Sequence, residues 1–188
     1  MYKNSDLKYF HYTEDSTYKY TVLAKEFFNY YVVAPDVNVE HYYYDNGIFT
    51  DNNFTKHYKD IGQLITHCGV NDNFKDGRAE KMIRDIQTAA RTMLLHAKSK
   101  WPAKIHLSLW PYAMQMAVHV HKNSPKRNHR SSRIEAFSQV AVYPKSGHYH
   151  TFGCPVYHLM MQAVTGKSEK WENQANLRIY LGPPPFNK

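Results

Sequence analysis

The sequence predicts an α/β layer over residues 1–121, a basic linker over 122–142 and a small β module over 143–188. Three observations carry that division. Strand-like and helix-like periodicities alternate through the first segment, the pattern of an α/β layer. The next stretch carries Lys122, Lys126, Arg127, Arg130 and Arg133 with Pro125 and three serines, a composition that favours an exposed connection. Thereafter short aromatic runs are broken by Pro144, Gly147, Gly153, Pro155 and Gly166, which suits strands and turns better than helix.

Each element follows from its local pattern. Tyr20, Leu23, Ala24, Phe27, Tyr30 and Tyr31 recur at helical spacing behind the cap candidates Asp15 and Ser16, and Pro35 ends the run; a first helix is expected there. Residues 37–44 are β-branched and aromatic and stop at Asn46-Gly47, so a strand closed by a tight turn is expected. A short helix fits 51–61, with Phe54, Tyr58 and Ile61 on one face and Gly62 as its stop. Residues 64–68 read as a short strand, and the stretch from Asn71 to Asp76-Gly77 as a loop. Two long helices follow, over 78–98 and 105–121, the second with an apolar stripe of Leu107, Trp110, Met114, Ala117 and Val118.

Composition narrows the function classes. A hydrophobic fraction of 43% and an aromatic fraction of 15%, with 16 tyrosines, belong to a folded chain rather than a disordered tail. Lys and Arg number 24 against 16 Asp and Glu, a net charge of +8, and the isoelectric point is near 9.3. That balance favours a polyanionic partner, nucleic acid ahead of a membrane surface. Cys68 and Cys154 are the only cysteines, which excludes a disulfide scaffold and points to an intracellular, reduced protein. The first ten residues hold no apolar run, so no secretory signal is expected. The 17 residues 105–121 lack Lys, Arg, Asp and Glu but include Pro111, Gln115 and three histidines, too short and too polar for a membrane span.

Two carboxylates stand out by position. Asp45 follows a predicted strand and precedes the Asn46-Gly47 turn; strand ends are where α/β folds present functional groups. Glu80 comes 35 positions later, in the expected first turn of the long helix, where the helix dipole favours an ionised carboxylate. Such a pair can supply hard oxygen ligands to Mg²⁺; equally, Asp45 can cap a turn and Glu80 be an ordinary helix-start acid. At 100° per residue, Glu80, Arg84, Gln87 and Arg91 fall within about 60° of one another, with Met82, Ile86, Ala89, Ala90, Met93 and Leu94 assigned to the other side. This reads as a DNA-facing edge or as a solvated face with a Glu80–Arg84 pair. The 12 histidines give no zinc pattern: on a helix His119 and His121 point about 200° apart, and His148 with His150 has no second ligand pair nearby. No Gly-rich phosphate loop, Ser nucleophile elbow or Cys-x-x-Cys occurs, and no small-molecule substrate is expected.

The strings themselves add more than the spacing. Asp45-Asn46-Gly47-Ile48-Phe49, Phe54, Gly62 and Gly77-Arg78-Ala79-Glu80-Lys81, in that order, resemble the second half of the integrase core of copia-type retrotransposons. The continuation through Ala89-Ala90-Arg91-Thr92-Met93-Leu94, Trp110, Ala117 and Asn123-Ser124-Pro125 is similar to the same family. Phe152-Gly153-Cys154-Pro155-Val156-Tyr157 and Ile179-Tyr180-Leu181-Gly182 resemble the small SH3-like segment that follows it. The resemblance spans nearly the whole chain from about Tyr9.

It implies a ribonuclease H-like core and Mg²⁺- or Mn²⁺-dependent DNA strand transfer. Asp45 and Glu80 would be catalytic metal ligands, and Lys81, Arg84, Gln87 and Arg91 would hold DNA. The implied partner is DNA, both element ends and target, with homo-oligomers expected, no membrane, and the nucleus as the place of work of the intact parent. Departures are equally specific. Residues 7–13 resemble the family's third strand, so the first two strands and the first catalytic Asp are expected to be missing; Asp6, Asp15 and Asp36 match nothing. Lys75-Asp76-Gly77 stands where the family has Gln-Asn-Gly. The expectation is an incomplete core with two of three metal carboxylates, inactive alone. The alternative is a non-catalytic, basic nucleic-acid-binding or self-associating remnant of a decayed element.

Overall fold

A parallel strand pair joined by a helix opens the described chain. The computed structural model describes residues 19, 22–23, 26, 40–44, 52–67, 73–125, 127–140, 149–160, 166, 171 and 173–183. Strand β1 (His41–Tyr44) pairs in parallel with β2 (Leu64–His67), in the register His41↔Leu64 to Tyr44↔His67. Parallel neighbours need a crossover between them, and α1 (Asn52–Asp60) lies in that connection. Tyr58 is the anchor of this unit. It is fully buried, and its ring meets Tyr42 edge-on with centroids 5.3 Å apart. Burial pushes the Tyr42 phenol above its ordinary value, opposed by a hydrogen bond with the Gln63 side chain.

The expected stop of α1 at Gly62 is observed. Gly62 has φ +71, Gly62 N–H donates to Lys59 O (3.0 Å), and Gln63 N–H donates to Tyr58 O (3.0 Å). This pair of bonds is the Schellman closure, which places a glycine in the left-handed region. Ile61, expected on the packed face, is instead half exposed, because the chain has already left the helix.

The long helix α2 (Asn73–Lys100) runs for 28 residues, about 42 Å at 1.5 Å per residue. It begins five residues ahead of the expected start at 78, so Asp76-Gly77 is helix and not loop. Gly77 is absent from the positive-φ glycines, and a Cβ there would meet nothing within 4 Å. The buried line of α2 is Ile86, Ala90, Leu94 and Ala97, while Met82, Ala89 and Met93 are half-buried. The packed stripe is thus rotated from the expected one, and Leu94 lies toward the Gln87 side.

The second long helix starts later than expected. Ile105 is buried, a single 3₁₀ turn spans Leu107–Leu109 under a His106 cap, and α3 covers Trp110–Asn123. Pro111 sits in its first turn, where a missing N–H costs nothing. Ala113, Met116, Ala117 and Val118 are buried, whereas Leu107 and Trp110 of the expected stripe are half exposed.

The stretch read as a linker has structure of its own. Pro125 bridges Ser132, and helix α4 (Arg133–Ser138) opens with a capping box in which Ser132 N–H donates to Glu135 Oε2 at 2.6 Å. Arg133 is not a free surface charge. Its Nη1 donates to the carbonyls of His121, Ser124 and Pro125 at 3.3, 3.0 and 3.3 Å, closing the carbonyl end of α3 with a cation.

Antiparallel strands β3 (Pro155–Leu159) and β4 (Ala175–Ile179) complete the described elements. Bonds from Gly153 N–H to Tyr180 O (2.8 Å) and from Tyr180 N–H to Cys154 O (2.9 Å) continue the ladder. Gly153 has φ +78, and a Cβ there would collide with the Ala97 side chain; close approach and left-handed backbone both require glycine. Contacts divide the chain into two compact units, Met1–Asp85 with Val120–Tyr143, and Ile86–His119 with Pro144–Lys188. Neither unit is one continuous segment. The class is mixed α/β, as expected. The strand expected over 7–13, the first three residues of the one expected over 37–44 and most of the helix expected over 20–31 fall outside the described residues, although Val22, Leu23 and Glu26 are helical.

Candidate functional site

The candidate residues depend on two elements, the end of β1 and one side of α2. Asp45 itself lies outside the described residues. Tyr44, immediately before it, ends β1 opposite His67 at the end of β2. Asp45 therefore follows the carboxyl end of a parallel strand, the end at which α/β sheets present functional groups. His67 is half-buried there, with Nδ1 buried and without a hydrogen-bond partner.

Glu80 is exposed on α2. Because the helix begins at Asn73, Glu80 sits about two turns inside it and not in the first turn. The dipole acts mainly within the terminal turn, which Glu80 lies beyond. Lys81, Arg84, Gln87 and Arg91 are all exposed. Helical geometry keeps Glu80, Arg84, Gln87 and Arg91 along one line, while Lys81 stands about 100° round the axis. The line presents one carboxylate, two guanidiniums and an amide, with Glu80 and Arg84 at the favourable i,i+4 spacing. Planar guanidiniums match phosphate oxygens in bidentate geometry.

For a divalent ion, Glu80 supplies a hard oxygen of the kind Mg²⁺ takes alongside several waters. Among the described residues no three His, Cys, Asp or Glu side chains come together as a metal-holding group. Of the two proposed ligands, Glu80 alone is among the described residues. His119 meets Tyr149 in a tilted arrangement with centroids 5.6 Å apart, and His150 meets Tyr180 edge-on at 5.3 Å. Burial raises both phenols, and for Tyr180 the neighbouring Cys154 and Tyr149 charges raise it further. No helix among the described residues is long and apolar enough to cross a membrane.

Motif reading directed attention to Glu80 and missed the charge distribution. No Asp or Glu occurs between Asp85 and Glu135. Within that stretch Lys98 and Lys100 lie in the last turn of α2, and Lys104 in the connection to α3 that begins with the half-exposed Trp101. The acid-free run was visible in the sequence; the connection between the two helices was not. Searches of this chain against models of protein families and against curated proteins return no match.

Proposed function

We propose that this chain is a piece of a copia-type retrotransposon integrase, acting on DNA through Asp45, Glu80 and the exposed side of α2. The observation that supports the reading is the ordered motif set in the sequence, from Asp45-Asn46-Gly47 to Gly77-Arg78-Ala79-Glu80-Lys81. Asp45-Asn46-Gly47 directly follows a strand of a parallel pair, and Glu80 with Arg84, Gln87 and Arg91 lines one helix. In this reading the finer fold is an incomplete ribonuclease H-like core followed by an SH3-like module. Asp45 and Glu80 would hold Mg²⁺ or Mn²⁺, which when bound favours hydroxyl attack on a phosphate by neutralising the charge that develops. Lys81, Arg84, Gln87 and Arg91 would hold the DNA backbone, with the intact parent working in the nucleus. These 188 residues supply two of the three carboxylates the resemblance calls for, so they are expected not to join pre-processed DNA ends alone.

Titration against duplex DNA at rising salt tests the binding half. Each phosphate contact adds about 0.9 to the slope of log affinity on log salt, so Arg84→Ala with Arg91→Ala should lower the slope by roughly 2. Affinity indifferent to salt, or untouched by both substitutions, contradicts the assigned face.

The second reading, a self-associating remnant without catalysis, is favoured by the β3–β4 hairpin. Pro155, Tyr157, Leu159 and Leu177 share one face by register, and all are exposed. Among the described residues neither strand has a further neighbour, and unpaired edges with apolar faces promote association. Sedimentation of the wild type against Tyr157→Lys with Leu177→Lys separates this from a monomeric DNA binder.

A further inference from the structure

We propose that the loop joining α3 to α4, residues 125–132, is a pre-ordered binding element for duplex nucleic acid, with Arg127 and Arg130 holding backbone phosphates. It adds a second contact for a polyanionic partner but draws on none of the integrase motifs, so it stands or falls separately from the α2 face.

The loop is held at both ends. Pro125 and Ser132 bridge its base, and Ser132 N–H donates to Glu135 Oε2 at 2.6 Å as half of the α4 capping box. On the α3 side, Ser124 Oγ–H donates to Val120 O at 2.6 Å. Arg133 Nη1 ties the two sides together through the carbonyls of His121, Ser124 and Pro125. Between these anchors the chain turns at Asn128, which takes φ +68, a left-handed conformation that Asn tolerates better than most side chains. A solvated linker needs none of these bonds. Backbone order obtained during folding does not have to be obtained again at the moment of binding.

Charge gives the second argument. Residues 120–143 hold five Lys and Arg against one acid, Glu135, whereas residues 1–85 of the same compact unit hold ten against thirteen. The near balance of that unit therefore conceals one basic segment. Its single acid is engaged by Ser132 N–H. Arg127, His129 and Arg130 are exposed. The arginines thus divide by role: Arg133 is turned to backbone carbonyls, and Arg127 and Arg130 are presented by the loop that it closes.

The ligand follows from what the loop contains and what it lacks. Planar guanidiniums meet phosphate oxygens two at a time, which suits a backbone of phosphates. Residues 122–135 include no Phe, Tyr or Trp, so the loop offers no platform on which an unstacked base could lie. A single strand would gain only its backbone charge, and the duplex carries the denser charge, one per about 1.7 Å of axis. Residues 127–131 include no apolar side chain to enter the acyl boundary of a membrane. Backbone contact without base readout makes the binding independent of sequence.

The test titrates the full chain with a labelled short duplex, with oligothymidylate of equal length, and with phosphatidylcholine vesicles containing one-third phosphatidylserine. Duplex should bind more tightly than oligothymidylate at matched salt. Arg127→Ala with Arg130→Ala should lower the duplex salt slope by roughly 2 and weaken binding more than about tenfold. Both side chains are exposed, so this variant should keep the wild-type circular dichroism. Arg127→Lys with Arg130→Lys should restore the slope and only part of the affinity. Arg133→Lys keeps the charge but not the three-carbonyl clamp, and should weaken binding about threefold at an unchanged slope. An unchanged slope in the Arg127 and Arg130 alanine variant overturns the proposal, even where Arg84→Ala with Arg91→Ala lowers it and the α2 face stands. The reverse pattern keeps the loop and removes the α2 face. Wild-type affinity in Arg133→Lys would show that the order of the loop is not used, and overturns it as a prepared element. Oligothymidylate binding as tight as duplex binding, or vesicle binding without duplex binding, overturns the choice of ligand.

Discussion

Met1–Asp85 with Val120–Tyr143 holds 15 Lys and Arg against 14 Asp and Glu; Ile86–His119 with Pro144–Lys188 holds nine against two. The first unit includes the candidate carboxylates Asp45 and Glu80 in near-balanced surroundings. The second carries almost all of the excess charge and all three tryptophans. Net charge alone would credit polyanion attraction to the whole chain. The division shows instead that the residues proposed for chemistry and those best placed for attraction are largely different sets. Helix α2 belongs to both, with Glu80 and Arg84 before the boundary and Gln87 and Arg91 after it.

The contrast between the units can be broken most severely at Gly153. Gly153→Ala puts a side chain at φ +78 and against Ala97, and strain plus overpacking should cost about 3 kcal/mol. Tryptophan fluorescence in a urea titration reads the second unit selectively, and its midpoint should fall; an unchanged midpoint would mean that the packing of Gly153 on Ala97 is not part of the stable fold. Gly77→Ala has the opposite sign and lies in the first unit. With open space and helical backbone, it should stabilise α2 by about 1 kcal/mol, seen as a higher circular-dichroism midpoint. Destabilisation would instead support the loop that Asp76-Gly77 suggests in the sequence.

The smallest effect is alkaline. Tyr42 is held protonated by burial, so the folded state binds that proton more tightly than the unfolded chain. Its contribution to stability is complete below the ordinary value near 10 and is lost as pH rises through the raised value. Stability should therefore decline above about pH 10, and less steeply in Tyr42→Phe. Equal slopes would place the alkaline sensitivity on other tyrosines.

Local chemistry was legible where a single residue type dictates geometry. Gly62 stops α1 because only the left-handed region closes that helix end, and the aromatic run before Asp45 gives a strand. Tertiary packing decided the rest. Asp76-Gly77 is a turn pair by propensity, yet twenty-three helical residues after Gly77 outweigh about 1 kcal/mol of local preference. Periodicity found the amphipathic character of α2 and the burial of Ile86, Ala90 and Leu94, but not the rotation that buries Ala97 and leaves Met82, Ala89 and Met93 half-buried. The basic run 122–133 resembled a linker because cations usually face solvent; the three carbonyls that Arg133 caps come together only once α3 ends. The line of Glu80, Arg84, Gln87 and Arg91 needed only helical spacing and was readable, whereas the turn that buries Ile105 between α2 and α3 was not.

The proposed shared site of Asp45 and Glu80 is tested most directly by Mn²⁺ titration, following the loss of the free-ion paramagnetic resonance signal. Metal–oxygen bonds are only about 2 Å long, so one ion held by both groups requires their carboxylates to meet. The account predicts one weak site in the wild type that Asp45→Asn and Glu80→Gln each abolish. Binding that survives either substitution unchanged would contradict a site made by these two carboxylates.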